Sequence, residues 1–292
     1  MLKYLVLFLV FAAQAQAEIS AYDDLDNKIV LKQPAQRVIA LAPHLVELAW
    51  TAGLGEKLVA AVDYSDYPEP AKALPRIGNS SVINIESIIA LKPDLVLAWA
   101  GANKNAEIEQ LKKLGIPVYS DDAHNFNDIA HTITQLAKFA NKPDAGKTKA
   151  EAFLQKITQL RQENSDKEAV TSFYQVWNKP IQSLNKSTLI HQVIKLCGGI
   201  NIFANEKAVA PVVSIESVIS ANPQVMFSGS KNNSLEPLSI WMAYDNINAV
   251  KNKQLYTINP DLLHRHSMRI AEGAELMCQA INKARAINKH QL

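Results

Sequence analysis

Two stretches of this chain are near copies of each other, and that repeat restricts the fold more than any other feature. Ile83-Asn84-Ile85-Glu86-Ser87-Ile88-Ile89-Ala90, followed by Pro93 and an apolar run over 94–98, returns 130 positions later. There it reads Val213-Ser214-Ile215-Glu216-Ser217-Val218-Ile219-Ser220, followed by Pro223 and an apolar run over 225–228. Each copy places Asn84 or Ser214 where a helix N-cap belongs and a glutamate in the first turn, where the helix dipole favours a carboxylate. A capped helix leading into a buried strand is half of an α/β layer, so two copies imply two α/β lobes.

The rest of the chain keeps that rhythm. Short strand-like runs are expected at 38–41, 58–62, 94–99 and 118–120, with helical patterns at 45–52, 85–91, 106–114 and 127–140. The alternation resumes with strands at 172–177, 225–228 and 255–258 and helices at 189–196, 215–221 and from about 267 onward. Between the halves, Ala150, Phe153, Ile157 and Leu160 recur at helical spacing with Lys, Glu and Gln on the other faces. This predicts one amphipathic helix, opened by Pro143 and Asp144 and roughly 30 Å long, which is a stiff strut rather than a flexible tether. The expected division is 18–142 for the first lobe, 143–166 for the linking helix and 167–292 for the second. A length of 292 residues and 48% hydrophobic content suffice for two cores.

At the start, Lys3, an apolar run over 4–11 and Ala15-Gln16-Ala17 form the charged, greasy and small-residue succession of a secretory leader. Cleavage is expected after Ala17, giving an exported chain with no cysteine at the cut to carry a lipid. Export into an oxidising compartment permits Cys197 and Cys278, the two cysteines, to form a structural disulfide. A redox or metal role is the alternative, although no C-x-x-C spacing supports it.

Charge and motifs narrow the function. Thirty Lys and Arg against 28 Asp and Glu leave a formal net charge of +2, too little to favour nucleic acid or an acidic membrane. No G-x-G-x-x-G, G-x-S-x-G or H-E-x-x-H is present, so neither a dinucleotide cofactor nor hydrolase chemistry is indicated. An open α/β sheet puts its ligand crevice at the carboxyl ends of its strands. Trp99 and Trp177 stand at such exits, whereas Trp50 reads as core and Trp241 as packing or rim. His264-Arg265-His266 is the densest polar cluster. With His44, His124 and His131 it raises the question of a metal ion, although no metal-ligand spacing is visible.

Several segments carry a resemblance. Ala42-Pro43-His44-Leu45-Val46-Glu47-Leu48-Ala49, Tyr64-Ser65-Asp66-Tyr67-Pro68, the stretch 85–99, Cys197-Gly198-Gly199 within 193–203, and 213–223 resemble the periplasmic vitamin B12-binding proteins of ABC importers. These lie within the helical-backbone (class III) solute-binding family, whose other members take haem, siderophores or metal ions. The resemblance implies two three-layer α/β lobes joined by one long helix, with the ligand in the cleft between them. It places a disulfide at Cys197 and Cys278, a ligand-contacting tyrosine at Tyr64, a stacking tryptophan at Trp99 and a ligand loop at Asp261, Leu262, Leu263, His264 and Arg265. Two further aromatics of the family cleft fall on Ser80 and Ala210, and Trp177 with Asn178 is the expected replacement. Glu86 and Glu216 match the pair that docks the permease. The expectation is a monomeric, non-enzymatic periplasmic carrier of cobalamin or a related corrinoid, serving a permease and its ATPase, with no metal and no cofactor of its own. Haem, siderophore or metal-ion capture is the alternative, and a secreted α/β hydrolase the more remote one.

Overall fold

The computed structural model describes residues 18–289, so the leader and its cleavage point lie outside the described residues. The first half runs β1 (Ile19–Tyr22), β2 (Lys28–Leu31), β3 (Val38–Ala40), α1 (Pro43–Ala52), β4 (Leu58–Ala61), β5 (Gly78–Asn79), β6 (Val82–Ile83), α2 (Ile85–Ala90), β7 (Leu95–Trp99), α3 (Asn105–Lys113), β8 (Val118–Asp121) and α4 (Phe126–Phe139). Then comes α5 (Pro143–Gln162). The second half runs β9 (Val170–Gln175), β10 (Trp177–Asn178), β11 (Ile181–Gln182), α6 (Leu189–Leu196), β12 (Gly199–Asn201), α7 (Ile215–Ala221), β13 (Val225–Gly229), α8 (Asn248–Lys251), β14 (Leu255–Ile258), α9 (Pro260–Leu263) and α10 (Ile270–Lys289).

Each half is built on a four-stranded sheet, ordered β4-β3-β7-β8 in the first and β12-β9-β13-β14 in the second. All neighbours pair in parallel. Counted along the chain, both sheets read second, first, third, fourth, so the sequence repeat is also a repeat of topology. Period-two alternation makes the layers. On β3 and β7, Ile39, Val96 and Ala98 face Ile88, Ile108 and Leu111, while Val38, Ala40, Leu95 and Leu97 face α1 and α4. In the second sheet Phe173 and Met226 pack with Val218 and Trp241 on one side. Tyr174 and Phe227 turn to the other side, into the cluster that holds α6 and α10.

The predicted strut is present as α5, with Ala150, Phe153, Ile157 and Leu160 buried along one stripe. Those side chains join inner-face residues of both lobes in a single apolar cluster, so the helix is embedded in a shared core. Its start crosses α4 closely, because a Cβ on Gly146 would stand 2.2 Å from that of Ala137. Both expected caps form: Asn84 Oδ1 accepts from Ser87 N–H at 2.9 Å and Ser214 Oγ from Ser217 N–H at 3.1 Å. Cys197 and Cys278 are joined, tying the end of α6 to the middle of α10. Trp241 is fully buried and donates its indole N–H to Gln175 Oε1, so it is packing and not rim. Trp50 is partly buried against the shared core that holds α5.

Three departures from the sequence reading have local causes. The strand expected over 172–177 stops at Gln175, whose side-chain amide turns aside to Asn178 Oδ1 and Pro237 O, and Trp177 starts a separate ribbon with β11. The last helix begins at Ile270 rather than near Ser267, because Ser267 is held by the Arg265 carbonyl and by Glu47. The hairpin β1–β2 was not anticipated. It is pinned to the first lobe through Asp24, whose carboxylate accepts from Asp122 N–H at 2.9 Å and Thr132 Oγ–H at 3.3 Å.

Burial pushes the Asp24 carboxyl up to about 6, against the pull of those hydrogen bonds and of His131. The folded state therefore holds a proton longer than the unfolded chain does, and this contribution to stability falls as pH rises from about 4 to about 6. Asp24→Asn should remove the loss. Urea midpoints should shift in favour of the variant between pH 4.5 and 7, and parallel midpoints across that range would rule the effect out.

Candidate functional site

For a sheet of this order, the crevice lies between the first and third strands, where connections leave in opposite directions. In the first lobe that exit is the end of β3 beside Trp99 at the end of β7. In the second it lies between β9, leading into Trp177, and Gly229 at the end of β13. There a cavity of about 310 Å³ is lined by Trp177, Asn178, Ser228, Gly229, Pro260 and His264.

The aromatics differ in what they offer. Trp177 is 61% exposed and Tyr64, just after β4, is 77% exposed. Large rings left this open at a crevice are available for stacking. Trp177 is steadied by its indole N–H to Lys179 O at 3.2 Å. Tyr64 has a φ of 63°, a left-handed conformation that costs a non-glycine residue of the order of 1 kcal/mol, and its carbonyl is held by Asp66 N–H and Arg265 Nη2, both at 3.0 Å. Trp99 is half-buried. His44 meets it edge-on at 5.1 Å and His266 at 5.9 Å, so part of its surface is covered by the seam between the lobes.

That seam contains the densest polar network in the described residues, and its anchor, Glu47, was missed as a functional residue in the sequence. Glu47 sits on α1 with 3% exposure. Its Oε1 accepts from Arg265 Nη1 at 2.8 Å and Arg269 Nη1 at 3.2 Å, and its Oε2 from Ser267 Oγ–H at 2.5 Å. The Arg265 guanidinium also reaches Asp66 at 2.7 Å and Asp261 at 3.1 Å. Lys231 pairs with Asp261 at 2.8 Å, and Arg269 lies 4.0 Å over the Tyr67 ring. Burial alone would raise Asp66, but the Arg265 hydrogen bond and charge hold it below the usual carboxylate range. The only sequence signal for Glu47 was a carboxylate inside the apolar run Leu45-Val46-Glu47-Leu48-Ala49.

The expected ligand loop therefore divides. His264 lines the cavity, and its Nε2 meets the hydroxyl of fully buried Tyr174 at 2.8 Å. Burial keeps the Tyr174 hydroxyl protonated well above its ordinary range, so the contact joins a neutral phenol to the imidazole. Arg265 spends its donors inside the seam instead of on open cleft. Asp261 is engaged by Lys231 and Arg265. Leu262 is half-buried in a separate groove beside Tyr256 and Leu276. Leu263 is 1% exposed and packs in the core, which corrects its expected place on the ligand surface.

The histidines do not converge on an ion. His44 pairs with Asp121, His124 with Asp122 and His131 with Asp24, and burial beside His44 pushes His266 down to about 4. Among the described residues no three His, Cys, Asp or Glu side chains form a metal-holding group. Ser80 is half-buried and Ala210 exposed, so neither adds a ring. Glu86 and Glu216 are exposed in the first turns of α2 and α7. Hydrogen bonds from its own backbone and from Ser214 hold the Glu216 carboxyl below its usual range.

Comparison with known proteins agrees with this architecture. The periplasmic binding protein family matches residues 38–262. The vitamin B12-binding protein of Vibrio cholerae serotype O1 is 39% identical over 246 residues, covering 84% of this chain and 88% of that one. The crystal structure of the periplasmic vitamin B12-binding protein of Vibrio cholerae superposes with a TM-score of 0.79 at 38% identity, covering 86% of this chain and 98% of that one. A periplasmic haem-binding protein from Roseiflexus sp. RS-1 shares the fold, with a TM-score of 0.75, 21% identity and coverage of 86% and 99%. The matched span takes in both four-stranded sheets, α5 and the strand ends at the crevice, and on that ground the chain belongs to the periplasmic binding protein family.

Proposed function

We propose that this protein captures cobalamin or a related corrinoid in the cleft between its lobes and delivers it to an ABC importer. The observation that carries the reading is the pair of exposed rings, Trp177 steadied through its indole N–H and Tyr64 carried on a backbone turn that Arg265 holds. A flat macrocycle needs stacking area with a few placed polar groups, and Asn178, His264 and Ser228 supply these around Trp177. The vitamin B12-binding relatives at 38 and 39% identity support the same ligand. In this reading residues 18–142 and 167–292 are the lobes, 143–166 the connection, and the chain works as a monomer in the periplasm after loss of its leader.

Spectral titration of the purified protein with cyanocobalamin and with haemin tests the ligand, and saturation by haemin alone would replace the corrinoid reading with the haem one. Trp177→Ala should weaken corrinoid binding by about tenfold, since ring stacking contributes roughly 1 kcal/mol beyond area burial. Unchanged calorimetric affinity would remove Trp177 from the site.

Delivery is assigned to Glu86 and Glu216, one at the start of each repeated helix. Complementary charge at a docking face sets encounter rate and register rather than ligand affinity. Glu86→Lys combined with Glu216→Lys should leave corrinoid binding normal and cut reconstituted uptake by the cognate permease and its ATPase at least tenfold. Wild-type uptake by that double variant would end the docking role.

A further inference from the structure

A second cavity lies at the seam between the lobes, away from the corrinoid crevice. It encloses about 670 Å³ and is lined by Phe126 at the start of α4, Arg161 in the last turn of α5, Lys186, and His191 and Lys195 on α6. Every ionisable group in this lining is a base. Lys72, Lys112 and Lys156 are paired with Glu69, Glu109 and Glu275. Arg161, Lys186 and Lys195 make no such pair among the described residues. In a chain whose net charge is only +2, a concave surface walled by cations without a carboxylate concentrates positive potential.

The tautomer of His191 adds a directed donor. The Asn201 side-chain amide nitrogen faces His191 Nδ1 at 3.5 Å, so Nδ1 is the acceptor side and Nε2 carries the proton. We propose that this cavity binds a multivalent phosphate-type oxyanion, held by the guanidinium of Arg161, the ammonium groups of Lys186 and Lys195, and the His191 N–H. The planar fork of an arginine matches paired phosphate oxygens, while lysines act as point charges that tolerate several poses. The field already registers on the protein: burial first, then Lys195 and Lys186, hold the His191 ring below its ordinary range. A bound anion reverses the charge contribution. Gln192, on the same helix, donates to His124 O of the first lobe at 2.7 Å, so an anion here sits beside a contact that joins the lobes.

The test follows the His191 ring by NMR through a pH titration in inorganic pyrophosphate and in sodium chloride at equal ionic strength. The expected result is a higher His191 midpoint in pyrophosphate than in chloride, and saturable calorimetric binding that Lys186→Ala with Lys195→Ala weakens at least tenfold. Circular dichroism and corrinoid titration should be unchanged in that variant, because both lysines are exposed and outside the crevice. Vesicles of phosphatidylglycerol, with phosphatidylcholine as control, separate the sources: retention lost in the double variant assigns a lipid headgroup, and pyrophosphate binding without retention assigns a soluble anion. Equal midpoints in the two salts, or wild-type pyrophosphate binding by the double variant, would overturn the site.

Discussion

Glu47→Ala should be among the most destabilising single substitutions in the chain, at about 3 kcal/mol or more, with a fall in melting temperature on the order of 10 °C. The carboxylate is 3% exposed and serves Arg265, Arg269 and Ser267 at once. Removing it leaves a guanidinium in a seam where water cannot replace the lost partner. Asp66 and Asp261 still face Arg265, which keeps the cost below that of a fully orphaned charge. Ligand binding should weaken as well, because Arg265 also holds the carbonyl that keeps Tyr64 in its left-handed turn. The measurements are thermal unfolding and cyanocobalamin titration on the same variant. A melting temperature within about 2 °C of wild type would show that the seam does not depend on this carboxylate.

The Cys197→Ala, Cys278→Ala double variant should lose about 4.5 kcal/mol, the chain-entropy value for a loop closed over 81 positions. Both cysteines are buried, at 0% and 3%, and alanine avoids placing a hydroxyl in the apolar cluster around α6 and α10. The loss acts mainly through the unfolded chain, so corrinoid affinity of the folded variant should stay near wild type. Chemical unfolding with and without reductant checks this directly. A difference under about 1 kcal/mol would mean that the reduced, unfolded chain already keeps these segments together.

How much of this was readable in the sequence depends on how far each determinant reaches. The capped helices at 85 and 215 were legible because a cap, a first-turn glutamate and a following strand lie within a dozen residues. The linking helix was legible from its own spacing, since α5 buries the stripe that the spacing predicts. Trp177 was placed at a strand exit, but the break before it was hidden, because it depends on Gln175 finding Pro237 and Trp241 more than 60 positions away. Arg265 and Glu47 are 218 positions apart, and no local pattern announces that they will meet. The same distance misled the reading of the 261–265 loop as uniformly ligand-facing: Leu263 turns into the core and Arg265 into the seam only once both lobes exist.

The lobes are pinned to each other at separate places, by Glu47 with Arg265 and by Gln192 with the His124 carbonyl, while α5 runs through a core they share. A biosensor made by attaching a fluorescent dye to each lobe would therefore report little, since the distance between dyes has few ways to change. A sensor built on this scaffold should read the crevice itself: of the four tryptophans, Trp177 is the exposed one, and on the proposed site its emission is the signal expected to respond to an absorbing ligand.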